Sequence, residues 1–444
     1  MKILIVGGNA TGMSAASKLR RLDKKAEIIV LERGGDVSYG SCGLPYFIGG
    51  INNDENMLRI RSAEEFRDKA NIQIKIGHEA IGLDAPNKSV TVRVKDGREY
   101  VEGYDKLVIS TGAAPVFPSF PGRDLNNIFV LKSIEDGQRI KAAAQSKNIK
   151  TVTIVGSGFI GIELAEAFIT LKKNVRIIEM MPRVMNNYES EITEILEHKL
   201  RDHGVELQLG EAVQSFEGNE TVTSVTTDKG SYPTDMVIVS IGVSPNTNFM
   251  RDTKGLEFLK NGAVVVNSKM ETGVQDIYAG GDCATVYNKI TKKNTYIALA
   301  TNANKQGRII GENLAGARRE LPGRLGTSAL KFMDLETAKT GVGFEEAQAA
   351  GYDADFTFIE TSLLPQYYTN NSSTYIKLVY DKNSKKILGA CMAGSRGTAL
   401  RIDIFATAIT AGMTTNDISD LDLVYAPPFA LAWDAVQVAA KTAK

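Results

Sequence analysis

The strongest constraint on the fold is a glycine-rich turn between an apolar strand and a helix. Residues 151–155 are apolar, and residues 156–161 read Gly-Ser-Gly-Phe-Ile-Gly. A second apolar run at 175–178 ends in Glu179. This order forms the βαβ unit that binds a dinucleotide, with the pyrophosphate at the turn and a ribose hydroxyl on the acid. The predicted nucleotide contacts are Gly156, Gly158, Ile160, Gly161 and Glu179.

A less complete copy of this pattern opens the chain. Residues 2–6 read Lys-Ile-Leu-Ile-Val and form a mainly apolar run, residues 7–12 read Gly-Gly-Asn-Ala-Thr-Gly, and the apolar run 28–31 ends in Glu32. Asn9 replaces the middle glycine, so an ordinary strand–turn–helix stays the alternative for this segment taken alone. The contacts predicted here are Gly7, Gly8, Ala10, Gly12, Glu32 and Arg33. Two such units indicate one resident nucleotide cofactor and one that exchanges.

The second unit also predicts a preference between the nicotinamide cofactors. A carboxylate at Glu179 repels the 2′-phosphate of NADP, so NADH is favoured. Arg183 lies close enough in sequence to leave NADPH open.

Composition excludes several classes of partner. The 52 Lys and Arg balance the 52 Asp and Glu, so a general attraction to nucleic acid or to an anionic membrane is not expected. No apolar run reaches about 18 residues, which argues against a membrane-spanning helix. Three widely spaced cysteines do not form a disulfide framework, so we expect a cytoplasmic location. Without a Cys-x-x-Cys pair, and with 3 histidines, no metal site is expected.

Cys42 is the candidate reactive group. Residues 38–46 read Ser-Tyr-Gly-Ser-Cys-Gly-Leu-Pro-Tyr and place this thiol among small residues just past the second strand of the first unit. A buried structural cysteine is the alternative, and it is our interpretation of Cys283 and Cys391. A thiol associated with two nucleotide units predicts redox chemistry.

Three other segments resemble strand ends that face a bound cofactor. The stretch 107–113 is predicted as a strand that ends in a small-residue turn, and the stretch 272–282 as a strand that presents Asp282. A helix N-cap is the alternative role of Asp282. The strand 236–240, followed by Gly242, is the equivalent turn of the second unit.

The pattern of predicted secondary structure changes from about residue 326. Strands are predicted at 340–341, 356–361, 375–380 and 386–392, and helices at 402–412 and 429–441. With no third glycine fingerprint, these elements predict a separate α+β domain.

Taken together, these features resemble the flavoprotein pyridine nucleotide-disulfide oxidoreductases along essentially the whole chain. The resemblance implies an α/β fold with two Rossmann-like dinucleotide-binding domains, for FAD and NAD(P)H, and a C-terminal α+β dimerisation domain. The implied domains are an FAD domain in two parts (1–114 and 244–325), an NAD(P)H domain (115–243) and a dimerisation domain (326–444). It further assigns Ser41, Thr111, Gly112 and Asp282 to FAD and Gly242 to NAD(P)H.

Within this family the chain resembles the branch with a single redox cysteine. Glutathione reductase and its relatives carry two cysteines separated by four residues, whereas position 47 is Phe47. The single-cysteine branch includes coenzyme A-disulfide reductase, NADH oxidase, NADH peroxidase and persulfide or polysulfide reductases. The first glycine turn lacks the histidine of peroxidases and many water-forming oxidases. The Cys-Gly-Leu-Pro-Tyr stretch and a tyrosine pair, Tyr367 and Tyr425, match coenzyme A-disulfide reductases instead.

The resemblance therefore implies the reduction of coenzyme A disulfide by NADH, with NADPH possible, through FAD and a Cys42–S–S–coenzyme A mixed disulfide. Coenzyme A is then a bound thiol, and Tyr367 and Tyr425 act on the site of the partner subunit of a homodimer. Other implied coenzyme A contacts are Ser14, Lys18, Arg21, Ser38, Lys69, Asn304 and Trp433. Arg20 is a further candidate, and a solvated basic helix face is the alternative for both Arg20 and Arg21. Phe332 and Met333 are expected in the core, with the lining of a pantetheine channel as their alternative.

Three other functions stay open. An NADH oxidase would reduce oxygen with Cys42 cycling through a sulfenate. A persulfide or polysulfide reductase would use the same thiol, although we expect no appended rhodanese-like domain, because the sequence ends at Lys444. An electron-transfer flavoprotein that reduces a carrier protein such as a rubredoxin would not use Cys42. The zero net charge and the lack of an evident acidic or basic run for docking argue against this function.

Overall fold

The first part of the chain is built on a parallel sheet. The computed structural model describes residues 1–369 and 372–443. The elements of this part are β1 (Lys2–Val6), α1 (Ala10–Leu22), β2 (Glu27–Glu32), α2 (Leu44–Ile48), α3 (Ala63–Ala70), β3 (Gln73–Ile76), β4 (His78–Asp84), β5 (Ser89–Val94), β6 (Glu99–Gly103), β7 (Lys106–Ile109) and β8 (Ala113–Pro115). Strand β1 lies between β2 and β7, with Ile5 opposite Val30 and Val108. Residues 3–6 of β1 are apolar and buried because both faces of a parallel sheet are covered.

A second sheet of the same kind follows. Its elements are β9 (Ile128–Phe129), α4 (Ile134–Gln145), β10 (Thr151–Val155), α5 (Phe159–Thr170), β11 (Asn174–Glu179), α6 (Ser190–Asp202), β12 (Glu206–Leu209), β13 (Val213–Gly218), β14 (Val222–Thr227), β15 (Ser231–Pro233), β16 (Met236–Val239) and β17 (Val243–Pro245). The strand order is β12-β11-β10-β16-β9. The predicted strand at 151–155 and the strand that ends in Glu179 are confirmed.

The chain then returns to the first sheet. The next elements are β18 (Ile277–Ala279), β19 (Val286–Tyr287), β20 (Asn294–Thr295) and α7 (Ala300–Leu314). Strand β18 pairs with β7 in parallel and completes the order β18-β7-β1-β2-β3. The strand with a small-residue turn predicted at 107–113 is confirmed, since β7 is followed by a turn at Gly112 with φ of +64°. The strand predicted at 272–282 is too long, because Asp276, with φ of +64°, turns the chain directly before β18.

Helix α7 packs closely on α1 because two glycines of α7 face α1. A Cβ on Gly307 would lie 2.3 Å from the carbonyl oxygen of Thr11, and one on Gly311 would lie 2.6 Å from that of Ala15. This close approach brings the N-terminal half of α1 against α7, beside the first glycine turn.

The last part of the chain is an antiparallel sheet with helices. Its elements are β21 (Ser328–Phe332), β22 (Leu335–Gly341), α8 (Phe344–Ala349), β23 (Ala354–Ser362), β24 (Ser373–Asp381), β25 (Ile387–Gly394), α9 (Thr398–Ala411), α10 (Thr415–Ser419) and α11 (Ala435–Thr442). The strand order is β21-β22-β25-β24-β23. The predicted α+β architecture is confirmed, and Phe332 is buried as expected. Met333, also expected in the core, is only partly buried and forms the β21–β22 turn with φ of +55°.

The predicted helix at 429–441 is wrong at its start. Helix α11 begins at Ala435 because Asp434 is its N-cap, and the Asp434 side chain accepts a hydrogen bond from the Val436 N–H at 3.0 Å. Gln437 completes a capping box with Asp434. Residues 429–433 therefore lie outside the helix.

The antiparallel sheet is joined to the second parallel sheet by a buried ionic cluster. Lys377 in β24 is 4% exposed, and its Nζ lies 2.6 Å from Glu189 and 2.9 Å from Glu191 at the start of α6. Lys331 in β21 pairs with Glu166 in α5. These ion pairs thus connect the two sheets. The four domain segments stay predictions.

No helix in residues 1–369 and 372–443 is long and apolar enough to cross a membrane.

Candidate active site

The two glycine turns share one geometry. Gly7 and Gly156 adopt φ values of +106° and +101°. A Cβ on Gly7 would lie 2.1 Å from the Ser110 carbonyl oxygen, and one on Gly156 would lie 2.6 Å from that of Ser240. Each turn therefore passes directly against the end of the neighbouring strand, in a conformation that glycine adopts most readily.

The two predicted acids are fixed beside their turns in the same way. One carboxylate oxygen of Glu32 accepts a hydrogen bond from the Gly8 N–H at 2.8 Å, and one of Glu179 accepts from the Ser157 N–H at 2.9 Å. The other oxygen of each acid accepts from the backbone N–H two residues further along. Both carboxylates are thus held in position while they keep lone pairs for a ligand hydroxyl.

Open space borders both turns. A Cβ added to Gly158 or Gly242 would meet no atom within 4 Å, and the same holds for Gly112 beside the first turn. Gly158 is also the N-cap of α5. The backbone therefore leaves room for a ligand at a helix N-terminus, which fits the nucleotides predicted from the sequence. Ala10 is the first residue of α1 and Ile160 is the second residue of α5, so both stand at the N-termini of these helices.

Cys42 lies in a single 3-10 turn directly before α2, and its side chain is exposed. Ser38, in the left-handed conformation with φ of +50°, donates its N–H to the Gly8 carbonyl at 2.9 Å. The Tyr39 N–H donates to Oδ1 of Asn9 at 3.2 Å. Asn9, which replaces the middle glycine, thus links the cysteine loop to the first turn by a hydrogen bond.

Opposing charges surround the Cys42 thiol. Desolvation raises its pKa first, and the carboxylates of Glu163 and Asp282 raise it further. Lys132 and a hydrogen bond with Ser41 lower it. Burial and the two carboxylates therefore disfavour the thiolate form of Cys42, whereas Lys132 and Ser41 favour it.

Glu163 is a site residue that the sequence analysis left without a role. It lies in α5, and the Tyr46 hydroxyl donates to its Oε1 at 3.5 Å. Desolvation, together with the charge of Glu166, raises the pKa of Glu163 to about 7. Desolvation and Glu163 raise the pKa of Tyr46 to about 12. The position of Glu163 two residues after the last fingerprint glycine was the only sequence signal.

Asp282 stands just beyond β18 and faces Lys132, whose Nζ lies 3.5 Å from its carboxylate. The Tyr296 hydroxyl donates to the Asp282 carbonyl at 2.9 Å. The alternative role of Asp282 as a helix N-cap is wrong, because α7 begins only at Ala300. Its carboxylate is therefore available on the side of the Cys42 loop.

Thr111 is held in place by its own contacts. Its hydroxyl donates to the Asn246 carbonyl at 2.7 Å, and the Asn246 side chain donates back to the Thr111 carbonyl at 3.0 Å. These two hydrogen bonds connect the turn at 111–112 to Asn246.

Three of the implied coenzyme A contacts line the seam between α1 and α7. The Ser14 hydroxyl donates to Oδ1 of Asn304 at 2.9 Å. Lys18 pairs with Glu312 at 2.9 Å, and its side chain is 19% exposed. The charge of Lys18 is therefore already compensated within the chain.

Arg20 does not serve as a phosphate contact. It is 7% exposed, and its guanidinium donates to the carbonyls of Ala26 at 2.6 Å and Asn71 at 2.9 Å. Arg20 is therefore neither a coenzyme A contact nor part of a solvated helix face, and both predictions are wrong. Its guanidinium is buried and already donates its hydrogen bonds to backbone carbonyls. Its neighbour Arg21 is exposed.

Two other implied contacts are exposed side chains with local partners. Lys69 pairs with Glu65 one helical turn away at 2.9 Å. Trp433 is 52% exposed, and the Lys441 ammonium lies 3.6 Å from its ring centroid.

The tyrosine pair lies on the surface of the antiparallel domain. Tyr367 is 75% exposed and Tyr425 is 50% exposed. The neighbouring Tyr425 hydroxyl raises the pKa of Tyr367. The two tyrosines therefore lie next to each other on this surface.

The other two cysteines are buried, as predicted. Cys283 is 0% exposed and Cys391 is 2% exposed. Burial raises the pKa of Cys391 to about 12. Cys42 is therefore the reactive thiol candidate of the chain.

Residues 1–307 match the pyridine nucleotide-disulphide oxidoreductase family, and residues 327–435 match the dimerisation domain of that family. The chain belongs to this family. It is thus an oxidoreductase that depends on FAD and NAD(P)H, and the resemblance inferred from its motifs is confirmed.

Curated relatives match along the full length. An NAD(P)H sulfur oxidoreductase (CoA-dependent) of Pyrococcus furiosus is 39% identical over 445 residues, which covers 100% of this chain and 99% of the relative. An NADH oxidase of Enterococcus faecalis is 33% identical over 447 residues, with 100% and 99% covered.

Solved structures match the fold closely. The reduced CoADR-RHD of Bacillus anthracis superposes with a TM-score of 0.96 at 35% identity, which covers 100% of this chain and 80% of that one. A water-forming NADH oxidase of Lactobacillus brevis bound to NADH gives a TM-score of 0.95 at 32% identity, with 100% and 98% covered. The fold class expected from the sequence is confirmed.

Proposed function

We propose that the protein reduces coenzyme A disulfide, or a related low-molecular-weight disulfide, with NAD(P)H through FAD and Cys42. The observation that carries the proposal is one exposed thiol fastened to the first glycine turn, with α5 of the second unit beside it. Cys283 and Cys391 are buried elsewhere. A disulfide at Cys42 would then take its second sulfur from a small molecule.

The first unit supplies the groups that would hold FAD. Gly112 borders open space and the Glu32 carboxylate stands at the turn, so the residues present fit a dinucleotide. The proposed FAD contacts are Gly7, Gly8, Ala10, Gly12, Glu32, Arg33, Ser41, Thr111, Gly112 and Asp282. When bound, FAD accepts a hydride from the nicotinamide cofactor and passes an electron pair to sulfur.

The second unit would hold the nicotinamide cofactor at Gly156, Gly158, Ile160, Gly161, Glu179 and Gly242. The carboxylate of Glu179 is fixed by two backbone N–H groups. A fixed negative charge at this edge disfavours a 2′-phosphate, so we propose NADH as the preferred donor. NADPH use would depend on Arg183.

The chemistry at Cys42 is a thiol–disulfide exchange followed by reduction. The Cys42 thiolate attacks one sulfur of the disulfide, the S–S bond breaks, and the second sulfur leaves as a thiolate that takes a proton. Two electrons from NADH then break the Cys42 mixed disulfide and release the second thiol. Each disulfide thus consumes one NADH and one proton from solvent.

A homodimer would complete the site. The chain carries the family's dimerisation domain, and Val424, Tyr425, Phe429 and Trp433 expose large apolar side chains on one segment of it. A surface of this kind is typical of a buried interface. We propose that Tyr367 and Tyr425 reach the site of the partner subunit and donate a proton or a hydrogen bond to the departing thiolate.

Coenzyme A would lie along α1 and the cysteine loop, with Ser14, Lys18, Arg21, Ser38, Lys69, Asn304 and Trp433 as proposed contacts. Lys18 would have to exchange Glu312 for a phosphate, whereas Arg21 is already exposed. The free thiols fit a reducing cytoplasm, which we propose as the location.

Reduction of polysulfide or persulfide is the second candidate. The Pyrococcus furiosus relative is named a CoA-dependent sulfur oxidoreductase, and the same Cys42 would hold the sulfur. NADH oxidase activity is less favoured, because Asn9 in the first turn accepts from the Tyr39 N–H and the turn has no histidine.

Anaerobic NADH oxidation by the FAD-loaded protein tests these proposals, with coenzyme A disulfide, polysulfide or no acceptor added. Turnover with coenzyme A disulfide that is lost in Cys42→Ser supports the first. Faster turnover with polysulfide selects the second. Turnover only after oxygen is admitted would contradict both.

A further inference from the structure

A short segment, residues 54–60, pairs with the cysteine loop along the backbone. The Gly40 N–H donates a hydrogen bond to the Leu58 carbonyl at 2.8 Å. The Ile60 N–H donates to the Ser38 carbonyl at 2.9 Å. Since the Ser38 N–H is bound to the first glycine turn, the start of the cysteine loop lies between that turn and the 54–60 segment.

This pairing supports the turn that carries Cys42. The Gly40 carbonyl accepts a hydrogen bond from the Gly43 N–H at 2.9 Å, which closes the 3-10 turn around Cys42. A Cβ on Gly43 would lie 2.5 Å from Cδ2 of Leu58, so the buried Leu58 side chain packs directly against this turn. Leu58 therefore contacts the residues on both sides of the thiol, through its carbonyl and through its side chain.

The conformation of Ser38 depends on contacts from two sides. Its φ of +50° is in the left-handed region, which a serine adopts only at a cost. Such a conformation persists where the surrounding structure fixes it. The Ser38 N–H donates to the Gly8 carbonyl, and the Ser38 carbonyl accepts from the Ile60 N–H. Loss of the second contact would therefore let the loop relax.

One arginine joins the 54–60 segment to the residues that lead into the loop. The Nε of Arg59 donates to the Asp36 carboxylate at 2.6 Å, and Asp36 lies two residues before Ser38. A terminal nitrogen of Arg59 donates to Oδ1 of Asn56 at 2.9 Å, within the segment itself. Charge-assisted hydrogen bonds are stronger than neutral ones. Arg59 therefore closes the segment onto the loop more firmly than the two backbone hydrogen bonds alone.

We propose that Arg59 is a positioning residue for Cys42. Its ion pair with Asp36 keeps the 54–60 segment on the cysteine loop, and the segment holds the turn at 41–43 in the orientation that disulfide exchange requires. This inference rests on the proposed thiol chemistry of Cys42 and deepens it. A thiol on a released turn still reacts with a small reagent, but it seldom meets a bound disulfide in the geometry of attack.

The test compares variants of the FAD-loaded protein with wild type. Arg59→Met removes the ion pair and keeps a side chain of similar length, whereas Arg59→Lys keeps the charge. Asp36→Asn breaks the same ion pair from its other side. Arg93→Met is the control, because it breaks an exposed ion pair of the same kind, with Glu99 at 3.0 Å between β5 and β6.

Hydrogen exchange and thiol alkylation report the release of the loop. In Arg59→Met the amides of Gly40 and Ile60, followed by mass spectrometry of their peptides, should exchange roughly three- to tenfold faster, because the weakened pairing opens more often. Iodoacetamide should alkylate Cys42 of the reduced protein faster, because the opened turn exposes the thiol. Arg59→Lys should recover most of both changes, Asp36→Asn should reproduce them, and Arg93→Met should show neither.

Turnover separates lost positioning from lost stability. In Arg59→Met the kcat with coenzyme A disulfide should fall roughly tenfold while KM stays within about twofold. The thermal midpoint should stay close to that of Arg93→Met, since a partly exposed ion pair adds little to global stability. A thiol that reacts faster in a protein that turns over more slowly is the expected signature.

Three results would overturn the proposal. They are wild-type exchange at Gly40 and Ile60 in Arg59→Met and Asp36→Asn, wild-type alkylation of Cys42 in both, or exchange that rises throughout the chain with a lower thermal midpoint. Exchange and alkylation need no disulfide, so they decide the role of Arg59 even if the protein does not turn over coenzyme A disulfide. In a protein that does, an unchanged kcat in Arg59→Met would also refute it.

Discussion

Substitution of Gly158 by Ala should weaken NADH binding without disturbing the fold. Gly158 has φ of −73° and ψ of −173°, an extended conformation that alanine adopts freely. The added Cβ would meet no protein atom within 4 Å and would point into the space proposed for the cofactor. Stability should fall by no more than about 1 kcal/mol, the usual cost of alanine at an N-cap. An extra methyl group in a fitted pocket costs about 1–3 kcal/mol, or roughly 10- to 200-fold in affinity.

Gly161→Ala is the matched control on the same turn. Its Cβ would lie 2.2 Å from the Gly156 carbonyl oxygen, so overpacking should cost roughly 1–3 kcal/mol or more in stability. The assays are the KM for NADH in steady-state turnover and the thermal midpoint of each FAD-loaded variant. If Gly158→Ala leaves the KM within twofold of wild type, or unfolds as readily as Gly161→Ala, the open space has been wrongly assigned.

Two further predictions concern the antiparallel domain. Lys377→Met should lower the free energy of unfolding at pH 7 by about 3–5 kcal/mol, because Glu189 and Glu191 lose their buried partner. Since Lys377 lowers the pKa of Glu191, its contribution in wild type is present above pH 4.5 and is lost as the pH falls through the lower folded value. Urea titrations at pH 7 and pH 3 should show a much smaller difference between the two proteins at pH 3. Phe substitutions at Tyr367 and Tyr425 together should reduce turnover of coenzyme A disulfide roughly a hundredfold with little change in KM, as expected for a lost proton donor; unchanged kcat would argue against that role.

The local patterns were the predictable part of the fold. Both glycine turns lie where the sequence placed them, because each links an apolar strand to a helix within a few residues. The acids Glu32 and Glu179 could be located by spacing alone. Helix α11 was predicted too early, although the capping box of Asp434 and Gln437 carries the correct start.

The through-space relations were not predictable. Tyr46 and Glu163 are 117 residues apart in sequence, and only the packing of α2 on α5 brings their oxygens to 3.5 Å. Arg20 and Arg21 are neighbours on α1, yet one is buried against carbonyls and the other is exposed. Two neighbouring residues of a helix point in different directions, and this decides which arginine is buried. The pair of arginines in the sequence does not show which one it is.

The central claim is that Cys42 cycles through a mixed disulfide with coenzyme A. The most direct measurement is mass spectrometry of the Cys42 peptide after the reduced, FAD-loaded protein has reacted anaerobically with one equivalent of coenzyme A disulfide. The account predicts one coenzyme A on Cys42, removed by one equivalent of NADH with release of one thiol. An unmodified Cys42 peptide, in a protein that still oxidises NADH once air is admitted, would contradict it.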